Sequence, residues 1–378
     1  MPASQRRAYA LSMVRDVDLA GLAAAASTHG IAGYVRSAVG GSTLLPPDEA
    51  AALEDGYRGA LATHLRTVGE LGTLRPALDE IGPWLVVKGP VLAETVHARP
   101  DLRGYGDLDV LVRPSALGDA LEALEAAGAE ILDRNWTLLA RELRGEVHAR
   151  LRHGTTLDLH WHLLNERTSR EAFRLPVTEM LERRRTVSVG PLKVPTLDAE
   201  DTLLHLGLHT LLSGGHRLVW FKDVERAVAQ RAHDWDELIR RARAWRVDLV
   251  VGMALERART TAGAAVPAEV ISALARSRSW RALAGAAAWL APVERQSGRG
   301  SVTRMLSRST RDTAGSSFAV LARKAMQQAR RRERLVDRAR DANDAANPGS
   351  MLHASGDRAT RESFLAAVSR EDARDGPG

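Results

Sequence analysis

The feature that most constrains this chain is a change of period. Before residue 80 apolar side chains recur at helical spacing, as in Leu53, Tyr57, Leu61, Leu65, Val68 and Leu71, with turn chemistry at Gly40-Gly41 and Pro46-Pro47. From Trp84 they gather into short runs, residues 84–88 and 107–112, the first ending at Gly89-Pro90. Such runs read as buried strands. Helical spacing over 91–98 lies between them, and after the second a helix carries Leu117, Leu121 and Leu124, capped by Ser115 and ended by Gly128. Further strands are expected at 129–132, 136–143, 147–151 and 155–163, then a hairpin of 185–189 with 192–195 turning at Gly190-Pro191. Beyond Thr196 the strand signals stop, and helical segments follow at 198–212, 218–230, 235–244 and 249–261.

This order predicts an α+β fold in four parts: N-terminal helices (1–80), a mixed sheet with flanking helices (81–196), a helical domain (197–296), and a basic helix near 318–340 within a disordered tail (297–378). The tail is expected to be disordered because residues 341–378 hold few large apolar side chains. A length of 378 residues favours more than one module, and 4% aromatics leave the core to Ala, Leu and Val. Zero cysteines exclude disulfides, thiolate zinc sites and cysteine nucleophiles. No run is long enough to span a membrane and the N-terminus lacks a signal-peptide layout, so a cytoplasmic location is expected.

The net charge of +6 is local: between Arg323 and Arg340 stand eight Arg or Lys and two acids, and the rest of the chain is formally neutral. That segment reads as a solvated charged helix, with nucleic-acid or membrane contact the lesser alternative.

The chemistry concentrates in two strands. In Arg103-Gly-Tyr-Gly-Asp107-Leu-Asp109-Val-Leu-Val112, Asp107 and Asp109 share one face because side chains alternate. Paired carboxylates repel unless a cation joins them, and hard oxygen ligands suit Mg²⁺ or Mn²⁺. In Thr155-Thr-Leu-Asp158-Leu-His160-Trp-His162 one face carries Asp158, His160 and His162, while Leu157, Leu159 and Trp161 take the other. The turn Lys88-Gly89-Pro90 brings a backbone and a cation where a helix begins, a setting suited to phosphate. Each element alone has a plain reading as a solvated strand end, a polar edge strand or a tight turn. Together they point to a metal and nucleotide site.

The segments Val-Val-Lys-Gly-Pro (86–90), Asp-Leu-Arg-Gly-Tyr-Gly-Asp-Leu-Asp-Val-Leu-Val (101–112) and Leu-Asp-Leu-His-Trp (157–161) resemble the uncharacterised nucleotidyltransferases, a group of the DNA polymerase β type. The resemblance covers roughly 80–230, including the helical stretch 204–223 with Trp220-Phe-Lys-Asp223. It implies a polymerase β-like mixed sheet, with Asp107, Asp109 and Asp158 holding two Mg²⁺ ions on a nucleoside triphosphate such as ATP, and Asp158 helping to activate an acceptor hydroxyl. Lys88, Gly89, Arg103 and His160 are the expected nucleotide contacts, Lys88 and Arg103 facing the leaving charge. The chain departs from the superfamily at the turn, with Lys88-Gly89 in place of Gly-Ser or Gly-Gly.

The expected reaction moves a nucleoside monophosphate onto a small-molecule, peptide or protein hydroxyl and releases pyrophosphate. Two alternatives stay open: a metal-dependent glycosyltransferase using a nucleotide-sugar, and a non-catalytic nucleotide-binding interaction module. A P-loop and the kinase motifs are absent. His205, His209 and His216 lack the zinc-protease pattern and read as polar positions facing the nucleotide-binding part.

Overall fold

The computed structural model describes residues 19–39, 45–275, 302–311, 314–331 and 345–372, with a few single positions between 279 and 286. Three helices come first: α1 (Leu22–Thr28), α2 (Ala32–Val39) and α3 (Pro47–Glu80). Pro47 opens α3 at a position where its missing N–H costs nothing, and Asp48 and Glu49 complement the helix dipole. The sheet region runs β1 (Trp84–Val86), α4 (Pro90–Thr95), β2 (Asp107–Val112), α5 (Leu117–Ala126), β3 (Glu130–Ile131), α6 (Trp136–Glu142), β4 (Glu146–Arg150), β5 (Thr156–His160), α7 (Arg167–Ala172), α8 (Val177–Glu182), β6 (Arg185–Val189) and β7 (Leu192–Thr196). Helices α9 (Ala199–Leu212), α10 (Leu218–Gln230), α11 (Trp235–Ala244), α12 (Asp248–Ala262), α13 (Ala268–Leu274), α14 (Val302–Ser307), α15 (Ala314–Arg331) and α16 (Arg358–Asp372) follow.

The described strands form one mixed sheet of seven, in the order β3-β4-β5-β2-β1-β7-β6. At its centre β2 runs antiparallel to β1 and parallel to β5, pairing Asp109 with Asp158. Alternation then sorts the side chains. Leu108, Val110, Leu157 and Leu159 lie on one face, none of them exposed, and pack with Leu71, Leu74 and Leu78 of α3 and with α5. Each such burial contributes roughly 1.5–3 kcal/mol. Leu85, Val87 and Leu111 lie on the other face and share an apolar cluster with α9 to α13, so the helical stretch and the sheet are built on a common core. Helix α9 is its axis, buried at twelve of fourteen positions and capped by Asp198, whose carboxylate accepts from the Asp201 N–H at 2.7 Å.

Three expectations change. Residues 136–143, read as a strand, form α6, because the Asn135 side chain accepts from the Leu138 N–H at 3.0 Å and starts a helix where alternation suggested extension. Ser115 is no cap; it sits in a 3-10 turn, Pro114–Ala116, and its hydroxyl donates to Asp372 at 2.7 Å. The tail is not disordered over 345–372. Phe364 and Val368, one helical turn apart on α16, are fully buried in the core of the sheet's α5 side, with the Phe364 ring 6.2 Å from Trp136. A segment too poor in apolar residues to make a core can still dock on one through an i, i+4 pair. Of the basic helix expected near 318–340, residues 332–340 fall outside the described residues, as does the Gly40-Gly41 turn. Among the described residues no helix is long and apolar enough to cross a membrane.

Candidate active site

The polar face of β2 and β5 forms one wall of a cavity of about 830 Å³; α9 and the start of α10 form the opposite wall. Asp107, Asp109, Asp158 and His160 stand together on the sheet side, as alternation requires, and Lys88 joins them from the end of β1. Lys88 Nζ donates to Asp109 Oδ2 at 2.5 Å and lies 3.5 Å from Asp107 Oδ2. His160 Nε2 donates to Asp109 Oδ1 at 3.1 Å. Burial works against the Asp109 charge, yet Lys88 and His160 hold its carboxyl well below the usual range. Burial likewise opposes the Lys88 charge, and Asp109 and Asp107 outweigh it, keeping the ammonium protonated.

Asp158 is different. Burial, and then the charge of Asp109, push it up to about 7. The charges of His148 and His160 oppose that rise without cancelling it. The donor set fits a divalent ion: ligand atoms of Asp109, Asp158 and His160 lie within 4.8 Å of one another.

A second set, Glu146, His148 and Asp158, meets the same test and was missed by the sequence reading. It comes from β4, which runs antiparallel to β5 and sets His148 opposite Asp158. The signal was present: Glu146-Val-His148-Ala alternates polar and apolar as β5 does, with Val147 and Ala149 wholly buried. His148 Nδ1 donates to Asp133 Oδ2 at 2.7 Å, and its Nε2 lies 3.7 Å from Asp158 Oδ1. Burial would lower the His148 pKa, but the Asp133 hydrogen bond and neighbouring acids raise it to about 9.

Gly89 and Arg103 shape the turn. Gly89 adopts φ +65°, and a Cβ there would sit 3.0 Å from the Asp107 carbonyl oxygen, so only glycine lets β1 turn this close to β2. Helix α4 beyond it is only six residues long, too short for much dipole. Arg103 departs most from expectation: it lines the cavity, yet its Nε and Nη2 donate to Asp223 on α10, both at 2.8 Å, with Nη1 3.5 Å from the Gly89 oxygen. Its charge is committed to the scaffold.

On the far wall His205, His209, His216 and Trp220 meet edge to face or stacked, His216 and Trp220 with ring centroids 4.7 Å apart. Burial pushes His205 down to about 3 and His209 well below its usual value, so both rings are neutral. His205 Nε2 has no hydrogen-bond partner among the described residues. His162, expected beside Asp158, instead accepts from the Leu164 N–H at 3.0 Å outside this group.

A comparison with curated proteins returns no match. Residues 15–263 match the sequence profile of a family described as "Uncharacterised nucleotidyltransferase", a span wider than the motif segments and taking in the N-terminal helices, the sheet and α9 to α12. With the mixed sheet, the paired aspartates and this match together, the chain belongs to the uncharacterised nucleotidyltransferase family.

Proposed function

We propose that the protein transfers a nucleoside monophosphate from a nucleoside triphosphate to a hydroxyl of a small molecule, peptide or protein, in a reaction that needs Mg²⁺ or Mn²⁺. The observation that carries this reading is the pairing of Asp109 with Asp158 on parallel strands, with Asp107 on the same face, at one wall of a cavity large enough for a nucleotide. Asp107, Asp109 and Asp158 would hold the metal, Asp109 and Asp158 offering ligand atoms within 4.8 Å of each other. When bound, the ion supplies Lewis acidity and offsets the charge of the triphosphate.

The chain's own residues do the rest. The acceptor oxygen attacks the α-phosphorus; an O–P bond forms as the bond from that phosphorus to the bridging oxygen breaks, and pyrophosphate leaves with the electron pair. The hydroxyl proton passes to Asp158. Lys88, with donors beyond those given to Asp109 and Asp107, faces the charge that develops on the leaving group. His160 orients Asp109, and Gly89 lets the turn approach the phosphates. Arg103 supports that turn from behind through Asp223 and the Gly89 carbonyl.

The test is equilibrium binding of α-³²P-labelled nucleoside triphosphates, with and without Mg²⁺ or Mn²⁺, to wild type, Asp109→Asn and Asp158→Asn, with UDP- and GDP-sugars as competitors. Metal-dependent triphosphate binding that both variants lose is expected. Tighter binding of a nucleotide-sugar would move the activity to glycosyl transfer, and metal-independent binding that both variants keep would overturn the site.

A further inference from the structure

An aspartate pair on one strand face needs positive charge between its members, and in this chain part of that charge is covalently attached. The register that pairs Val86 with Val110 continues through the Val87 N–H to the Asp109 carbonyl at 3.0 Å, so residue 88 emerges beside residues 107 and 109. The Gly89 turn then sends the backbone away and leaves the Lys88 side chain aimed at both carboxylates. Asp109 is 2% exposed, and both of its oxygens already face nitrogen donors, Lys88 at 2.5 Å and His160 at 3.1 Å. A carboxylate so placed keeps lone pairs for one ion beside Asp158, but much of its charge is already compensated. Asp158 contrasts with it: among the described residues its nearest basic nitrogen is His148 Nε2 at 3.7 Å, beyond hydrogen-bond reach.

We propose that Lys88 takes the place of one of the two divalent ions that an Asp-x-Asp centre otherwise holds, so that the pocket works with a single divalent ion centred on Asp158. This rests on the transferase reading above and narrows it. An ammonium carries three donors on one nitrogen. Two point at Asp109 and Asp107, and the third remains for a phosphate oxygen, which is the bridging that a second ion would perform. Both candidate ligand sets, Asp109 with Asp158 and His160, and Glu146 with His148 and Asp158, share Asp158, so a single ion there uses the oxygen ligand that the lysine leaves unneutralised.

The experiment counts Mn²⁺ bound per full-length chain by electron paramagnetic resonance titration, with and without a non-hydrolysable α,β-methylene ATP. Wild type is expected to bind one ion with the analogue, Asp158→Asn none, and Lys88→Met two, the Mn²⁺ dependence of analogue binding steepening from first to second order. Circular dichroism and thermal unfolding report whether the variants fold. Should Lys88→Met fail to fold, the wild-type count decides: one ion supports the inference and two overturn it. Two ions in wild type that Asp158→Asn loses would refute the lysine's role while leaving the transferase reading intact. One ion in both wild type and a folded Lys88→Met would also refute it. No Mn²⁺ bound under either condition would remove both readings.

Discussion

Two buried cation–carboxylate pairs stand on either side of Gly89 and differ in how far each cation's donors are engaged. Arg103 meets Asp223 in a two-point fork, both contacts at 2.8 Å, and Asp223 Oδ1 also accepts from His97 Nε2, whose Nδ1 accepts from the Tyr34 hydroxyl at 2.7 Å. Four segments, α2, the turn after α4, the approach to β2 and α10, close on one carboxylate. Burial opposes that charge, but Arg103 and His97 hold Asp223 at about 2. Lys88 meets Asp109 through one short contact, and its environment opens into the cavity. A planar guanidinium whose fork is filled makes a joint; an ammonium on one short contact keeps capacity for a further partner. Residue type alone marks both as candidate phosphate ligands.

The largest effect that would break this comparison is on turnover. If the open pair and its neighbours form the site, Asp158→Asn lowers metal-dependent transfer by about 10⁴-fold while the thermal midpoint moves little; a variant that loses its fold in proportion to its activity would place Asp158 in the scaffold instead. Next comes the closed pair. Asp223→Ala leaves Arg103 buried without its partner and costs about 3–5 kcal/mol of stability, measured by urea unfolding. Metal-dependent nucleotide binding lost from a variant as stable as wild type would move Arg103 back to the phosphates.

A joint without charge calibrates the scale. Phe364→Ala on α16 removes a fully buried ring and is expected to cost about 3 kcal/mol. A cost near zero in the same urea assay would mean that the C-terminal helix does not hold the α5 side of the core.

The smallest effect separates neutral from charged burial by pH. His162 and His205 are held by burial at about 3, below the ordinary 6.5, so they favour folding above about pH 6.5 and lose that contribution as pH falls toward 3. Each is worth about 2 kcal/mol between pH 7 and pH 5. Asp223, depressed to about 2 from 3.8, has the same sign but acts only below about pH 4. Asp158, raised to about 7, favours folding as pH falls through that value, and His148, raised to about 9, loses its contribution as pH rises through 9. The measurement is therefore the difference between wild type and His162→Asn, which isolates one ring; a difference flat from pH 7 to pH 5 would mean that His162 protonates without penalty.

Much of the site was legible because period two is a property of the chain. It places Asp107 with Asp109 and Asp158 with His160, and puts Leu108, Val110, Leu157 and Leu159 behind them, whatever the strands pair with. The same period in residues 146–150 was present but carried no recognised motif, so Glu146 and His148 went unnamed until β4 set them beside β5. Local signals also misled where an N-cap outweighed alternation, at Asn135, and where two buried residues sufficed to dock a polar helix, at Phe364 and Val368.

Chain chemistry set which residues could share a strand face and which residue types stood at the turn after Lys88. The tertiary structure alone decided that Asp109 stands opposite Asp158, that Asp223 reaches Arg103 across 120 residues, and that Lys88 remains facing the cavity. The reason is physical. Alternation and capping act within a few bonds of a residue, whereas strand register and buried ion pairs are settled by backbone hydrogen bonds and desolvation between segments far apart in the chain.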